Sequence, residues 1–271
     1  MEHVSKAQIK LVRSLQHKKF RDEHGLFVAE GDKCIDELRK GFELEYLIVE
    51  ESLTSNSFSG PISNSAAVQF LTAKRSELEQ MSGLRTPQGS IAVFRKSNSE
   101  AVQLPTAKRS NSPQDGLTLV LDGIQDPGNL GTIIRTCDWF GVKQIICSQD
   151  TADCYNPKVV QATMGALARV KLIYTDLVPF LQAEKVKGTN IFGTLLDGKN
   201  MYKLLSTFDF EQSGLSTIII MGNEGNGISE EVRKWITHPL RIPSYPEGAE
   251  TSESLNVAIA TAIVLAEFRR A

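Results

Sequence analysis

In the second half of the chain, short unbroken apolar runs alternate with stretches whose apolar residues recur every three to four positions. GLTLVLDGI (116–124), VKQIICS (142–148), NIFGTLL (190–196), STIIIMG (216–222) and PLRIP (239–243) read as buried strands. Residues 129–140, 157–168, 176–186 and 229–237 read as helices between them, and 254–270 as a last, long helix. Strand and helix in alternation predict a parallel sheet covered on both faces, an α/β domain of Rossmann-like kind. Ligands of such sheets sit beyond the carboxyl ends of the strands. The unusual polar residues of this half lie there, at 122–129, 222–227 and 243–256.

The first half opens on a basic helical stretch and continues with GLFVAEGDKCIDELRKGFELEYLIVEE, patterned as strand, Glu30-Gly31, helix, strand. This is a second, smaller α/β unit. FRKSNSEAVQLPTAKRSNSPQDG (94–116), rich in Ser, Asn, Pro and charge, reads as a linker. The expected organisation is therefore a domain over 1–96, a linker over 97–115 and a larger domain over 116–271, each domain of ordinary size.

Composition narrows the picture. With 271 residues, 41% of them hydrophobic, the chain can bury a core. No run approaches about eighteen consecutive apolar residues, and MEHVSKAQIKLVRSLQHKK lacks the apolar segment of a secretory signal, so a cytoplasmic protein is expected. Cys34, Cys137, Cys147 and Cys154 show no CxxC spacing and no clustered histidines, which predicts reduced thiols and no metal site. A net charge of −2 gives no blanket attraction to a polyanion. One local patch stands out: Lys6, Lys10, Arg13, Lys18, Lys19 and Arg21, with no acidic residue among them. It is either a phosphate-binding face or a merely soluble helix.

Three polar constellations interrupt the apolar pattern. In DPGNLGTIIRTCDWFG (126–141), Leu130, Ile133, Ile134, Cys137 and Gly141 share one helical stripe. Arg135 falls roughly 150° from its centre, beside Thr132 and Trp139. Arg135 is thus expected to point outward, and an outward tryptophan one turn on implies that this face meets a partner subunit or an aromatic ligand. Asn129, at the helix mouth, has the ordinary reading of an N-cap. In MGNEGNG (221–227) the glycines allow close approach to the backbone. Their spacing is GxxGxG rather than GxGxxG, and no acidic residue ends the next strand, which argues against a dinucleotide oxidoreductase. Glu224 would repel a phosphate and suits a cationic or hydroxyl-bearing ligand. In IPSYPEGAETSESLNVA (242–258), Ser254 and Asn256 stand at the polar entrance of a helix apolar almost all round. Such a helix needs cover on most sides, in part from a second subunit. The ordinary reading makes Ser252 or Ser254 the N-cap and Asn256 a partner for loop carbonyls.

Together, LDGIQDPGNLGTIIRTCDWFGV, IIIMGNEGNGIS and LRIPSYPEGAETSESLNVAIATAIVLAEFRR resemble, in this order, the three signature motifs of the SpoU (TrmH-like) RNA ribose 2'-O-methyltransferases of the SPOUT superfamily. The first unit, through FRDEHGLFVAEG and LRTPQGSIAVF, is similar to that family's substrate-binding domain and to small ribosomal RNA-binding proteins. The resemblance implies a parallel sheet whose C-terminal segment threads a loop as a deep trefoil knot, S-adenosylmethionine held there without a metal, and a homodimer with active sites at its interface. The partner implied is RNA, ribosomal RNA before transfer RNA, and neither DNA nor a membrane. Carried over by motif, Gly222, Ile242 and Leu255, with Leu195, Met221 and Asn223 beside them, are donor-binding positions, and Asn129, Arg135, Glu224, Ser254 and Asn256 are catalytic ones. Lys18, Lys19 and Arg21 become candidate phosphate contacts. SYPEGAETSE (244–253) is longer than the short turn typical of many members and lies beside the donor pocket. The family view of the motif arginine as a base conflicts with a guanidinium pKa above about 12, which favours orientation and charge stabilisation by Arg135. The competing class is a catalytically inactive RNA-binding or ribosome-assembly protein of the same fold.

Overall fold

The short apolar runs of the chain close into two separate sheets. The computed structural model describes residues 2–53, 68–97, 116–208, 216–246 and 252–270; all but the first residue of the expected linker, and residues 247–251 of the long loop, lie outside them. The chain divides into one unit of Met1–Asn98 with Asp153–Arg169, and another of Ser99–Ala152 with Val170–Ala271. Asp153–Arg169, expected in the second unit, thus packs with the first.

In the first unit, β1 (Glu2–His3), β2 (Leu26–Glu30), β3 (Leu44–Glu50), β4 (Gln69–Ala73) and β5 (Ser90–Arg95) form a sheet of order β1-β4-β3-β5-β2. β5 runs antiparallel to both of its neighbours, whereas β1, β4 and β3 are parallel. The expected single basic helix is two, α1 (Lys6–Ser14) and α2 (Lys18–His24), and α3 (Asp32–Leu38) and α4 (Arg75–Met81) follow. A capping box starts α1: Gln8 N donates to Ser5 Oγ at 3.3 Å and Ser5 N to Gln8 Oε1 at 2.8 Å. Val12 and Leu15 turn into a core shared with Leu71, Leu78 and Met81. Arg21, proposed from the sequence as a phosphate contact, is instead 1% exposed. Its Nη1 donates to the carbonyls of Leu15 (2.9 Å) and Gln16 (3.0 Å), and its Nε and Nη2 to Asp153 Oδ2 (3.1 and 2.7 Å). The guanidinium fork therefore satisfies the carbonyls left open where α1 stops and binds the segment that follows Ala152. That segment contributes α6 (Pro157–Thr163), with Val159 and Val160 buried, and Tyr155, whose ring packs at 4.8 Å on Phe27.

Among the described residues of the second unit, the strands all pair in parallel. β6 (Leu117–Asp122), β7 (Gln144–Cys147), β8 (Lys171–Tyr174), β9 (Asn190–Asn200), β10 (Thr217–Gly222) and β11 (His238–Arg241) take the order β11-β9-β10-β6-β7-β8. Four of the five predicted strands run at the heart of this sheet, and PLRIP forms one edge. β8 was not apparent in the sequence, because KLIY is four residues long and only Ile173 is buried. Among the described residues its helices are α5 (Pro127–Trp139), α7 (Leu177–Val186), α8 (Met201–Leu205), α9 (Glu230–Arg233) and α10 (Val257–Phe268). Leu130, Ile133, Ile134 and Cys137 of α5 are fully buried as the wheel requires, while Gly141 is exposed at φ 69° just beyond the helix end. α10 lies along α5 in the same direction: Asn256 meets Asn129 at one end, and Arg269 Nε donates to Phe140 O at 3.0 Å at the other. α10 keeps Ile259 55% exposed, and Trp139 of α5 is 85% exposed. Among the described residues no helix is long and apolar enough to cross a membrane.

Candidate active site

β6 and β10 lie side by side with Asp122 opposite Gly222, so the loops that leave their carboxyl ends emerge as neighbours. Backbone and side chains tie the two loops together. Asn223 Nδ2 donates to Gly123 O at 2.6 Å, and Ser229 N donates to Asp122 Oδ2 at 2.7 Å. Asn223 also exchanges both backbone hydrogen bonds with Gly227 at 2.9 Å, and its Oδ1 accepts from Gly225 N and Asn226 N. A Cβ on Gly222 would stand 2.3 Å from the Gly227 carbonyl carbon. Glycine is thus demanded there by the closure of the loop on itself, a local reason that the sequence could not separate from ligand approach.

The caps differ from their ordinary readings. Asp126, not Asn129, caps α5 by accepting from Asn129 N at 2.8 Å, with Pro127 in the first turn. This releases the Asn129 side chain. Asn256, rather than Ser252 or Ser254, caps α10: its Oδ1 accepts from Ala258 N (3.1 Å) and Ile259 N (3.2 Å). Its Nδ2 donates to Asn129 Oδ1 at 2.9 Å and to Glu224 Oε1 at 2.5 Å. Glu224 Oε1 also accepts from Val257 N at 3.2 Å, a placement that suits a carboxylate at a helix N-terminus. Asp126, Asn129, Asn223, Glu224 and Val257 line one cavity of about 270 Å³. Asn129 and Glu224 line it and Asn256 donates to both, so three of the five candidate catalytic residues, one from each motif, are joined by hydrogen bonds. Asp126 was missed, although Asp before Pro at a helix start is a readable capping signal.

Arg135 and Ser254 do not join them. Arg135 is exposed on α5, about 9 Å along the helix axis from Asn129, and its side chain has no hydrogen-bond or ion-pair partner among the described residues. Ser254 is exposed two residues before the cap of α10. The candidate donor-binding residues come from adjacent strand ends. Met221 and Gly222 end β10, and Leu195 lies on β9 where its pairing with β11 jumps from Gly193 to Lys199, so the residues between bulge from the ladder. Ile242 follows β11, and Leu255, 46% exposed, precedes α10. Lys18 and Lys19 are exposed at the start of α2.

Within β11, His238 stacks on Phe192 at 4.7 Å and stands edge-on to Phe208. Burial, and then the charge of Lys199, hold its pKa below the ordinary 6.5. The fold thus favours the neutral ring, and its contribution to stability is present above pH 6.5 and lost as pH falls below it. The melting temperature is expected to drop between about pH 7 and pH 5, and His238→Phe to flatten that slope, read by calorimetry across the range.

Residues 116–266 match the model of the SpoU rRNA Methylase family, and residues 6–92 that of the MRM3-like substrate binding domain. The chain is 28% identical over 274 residues to the 23S rRNA (guanosine(2553)-2'-O)-methyltransferase RlmP of Bacillus subtilis, covering 99% of this chain and 98% of that one. Among solved structures it is similar to a TrmH-family protein of Porphyromonas gingivalis, with a TM-score of 0.80, 36% identity and 98% of each chain covered. It is also similar to an AdoMet-bound rRNA methyltransferase of Sinorhizobium meliloti, with a TM-score of 0.79, 29% identity, and 100% and 97% of the two chains covered. The first of these family models spans more than half of the chain, including every residue that lines the cavity, and the chain belongs to the SpoU rRNA methylase family.

Proposed function

We propose that the protein methylates a ribose 2'-hydroxyl of ribosomal RNA, with S-adenosylmethionine as the methyl donor. The observation that carries this reading is that Asn256 ties together Asn129 and Glu224, residues of three distant segments, and that the latter two line one cavity at the carboxyl ends of parallel strands. When bound, the donor supplies a methyl group activated on a sulfonium. The chain has groups suited to such a ligand: the part-exposed apolar side chains of Leu195, Ile242 and Leu255, with the Met221-Gly222-Asn223 backbone, for its adenosine. The threading of the C-terminal segment as a trefoil knot belongs to this proposal.

In the same reading two copies of the chain form a homodimer. Arg135, about 9 Å along α5 from Asn129 and not among the residues that line the cavity, completes the site across that interface, beside Trp139. Arg135 holds the substrate phosphate and lowers the pKa of the hydroxyl, Asn129 and Asn256 orient the groups around them, and Glu224 and Ser254 position the loop or the acceptor. Titration calorimetry with S-adenosylmethionine, followed by transfer of a labelled methyl to ribosomal RNA, tests the proposal. A folded dimer that binds no donor would favour an inactive RNA-binding protein instead.

Lys18 and Lys19 are the phosphate contacts that remain once Arg21 is buried. Reversing both charges is expected to weaken RNA binding and to lower the slope of log affinity against log salt by about two. An unchanged slope in filter binding at graded salt would remove this patch from the interface.

A further inference from the structure

We propose that the first turn of α10 sets the hydrogen-bond polarity of one part of the cavity wall, leaving Asn129 Nδ2 there as a donor and Glu224 Oε2 as an acceptor, a pair that suits a hydroxyl group. The inference rests on the methyltransferase reading for the identity of that hydroxyl, the ribose 2'-OH. The polarity itself follows from contacts within the chain. It starts from the backbone, where the Ala258 and Ile259 amides at an open helix end can only donate. Both are directed at Asn256 Oδ1. A carboxamide with its oxygen so engaged turns its NH2 the other way. Those two hydrogens go to Asn129 Oδ1 and Glu224 Oε1.

Two consequences follow for the cavity wall. Asn129 accepts through its oxygen, so its own NH2 is left to donate elsewhere. Glu224 engages Oε1 with Asn256 and Val257, so Oε2 is left to accept. Both residues line the cavity. A hydroxyl is the side of a ribose that can answer both: its oxygen accepts from Asn129 while its hydrogen is held at Glu224 Oε2. A methyl ether in the same place keeps the oxygen but has no hydrogen for Glu224, and leaves a carboxylate oxygen without a partner. The same polarity that takes in the substrate therefore disfavours the methylated product. Asn256 is a positioning residue, acting only through its two neighbours.

The test uses the full-length protein and the variants Glu224→Gln and Asn256→Asp. Through-hydrogen-bond NMR couplings from Asn256 Nδ2 to the side-chain carbonyl carbons of Asn129 and Glu224 are expected in the wild-type protein, with neither RNA nor donor present. Glu224→Gln keeps an oxygen for Asn256 and Val257 and turns the second acceptor into a donor. It is expected to keep the wild-type melting temperature, lower turnover on ribosomal RNA about 100-fold, and lose the wild-type preference for unmethylated over methylated RNA in filter binding. Asn256→Asp preserves the cap but cannot donate, and is expected to lose both couplings and the same preference. Absence of the couplings in folded wild-type protein, or a Glu224→Gln protein with wild-type turnover and preference, would overturn the proposal. Couplings present in a wild-type protein that methylates no RNA would instead sink the methyltransferase reading, while a retained preference for ribose over 2'-deoxyribose oligonucleotides would uphold the polarity.

Discussion

Arg21→Met is expected to destabilise the protein by about 3–5 kcal/mol, as measured by denaturant unfolding. The methionine fills much of the same volume, so packing is largely kept and the loss is polar. Asp153, whose side chain is 12% exposed, loses its cation, and the carbonyls of Leu15 and Gln16 lose their donor. Arg21→Lys is expected to recover only part of this, because one ammonium cannot reach two carbonyls and a carboxylate together. Lys18→Met, at an exposed position in the same helix, is the control and should change stability by no more than about 0.5 kcal/mol. A loss below about 1 kcal/mol for Arg21→Met would mean that the fork is not what holds Asp153–Arg169 to the first unit.

Arg135→Ala should leave stability unchanged and lower methyl transfer by about 100-fold or more. The first half of that expectation comes from its exposure on α5 and the second from the proposed function. Arg135→Lys separates two roles. Lysine keeps the charge but not the planar fork, so if the arginine holds a phosphate in two-point contact, turnover stays well below wild type. Near-normal turnover would show that charge alone suffices. A pH profile completes the comparison. A guanidinium acting as base would make the rate keep climbing into strongly alkaline pH, whereas an orienting guanidinium leaves the profile to other groups.

Much of the fold could be read from periodicity because periodicity reports which faces are buried. Five apolar runs became strands, and the stripe of α5 was buried at Leu130, Ile133, Ile134 and Cys137. The outward direction of Arg135 and Trp139 followed from the same wheel. Where the signal was short it failed. KLIY and MYKLL are too brief to show a period, and the end of α1 at Ser14 has neither Gly nor Pro to mark it. The candidate site was legible as three segments, and its capping residues were not, since several Asn, Asp and Ser side chains near each helix start could take that place.

By itself the sequence determined the parallel α/β unit, the smaller unit before it, and the three polar segments whose order marks the family. Local pattern suffices for these, because burial of one face and the residue types at strand ends are both written in neighbouring positions. Only the tertiary structure decided which polar groups find one another. Arg21 is a structural residue because Asp153, far along the chain, closes on it. Asn129 is free to face a cavity because Asp126 caps its helix and Asn256 orients its amide. A side chain's hydrogen-bond role depends on which partner satisfies it first, and that partner is set by the approach of segments that sequence spacing does not reveal.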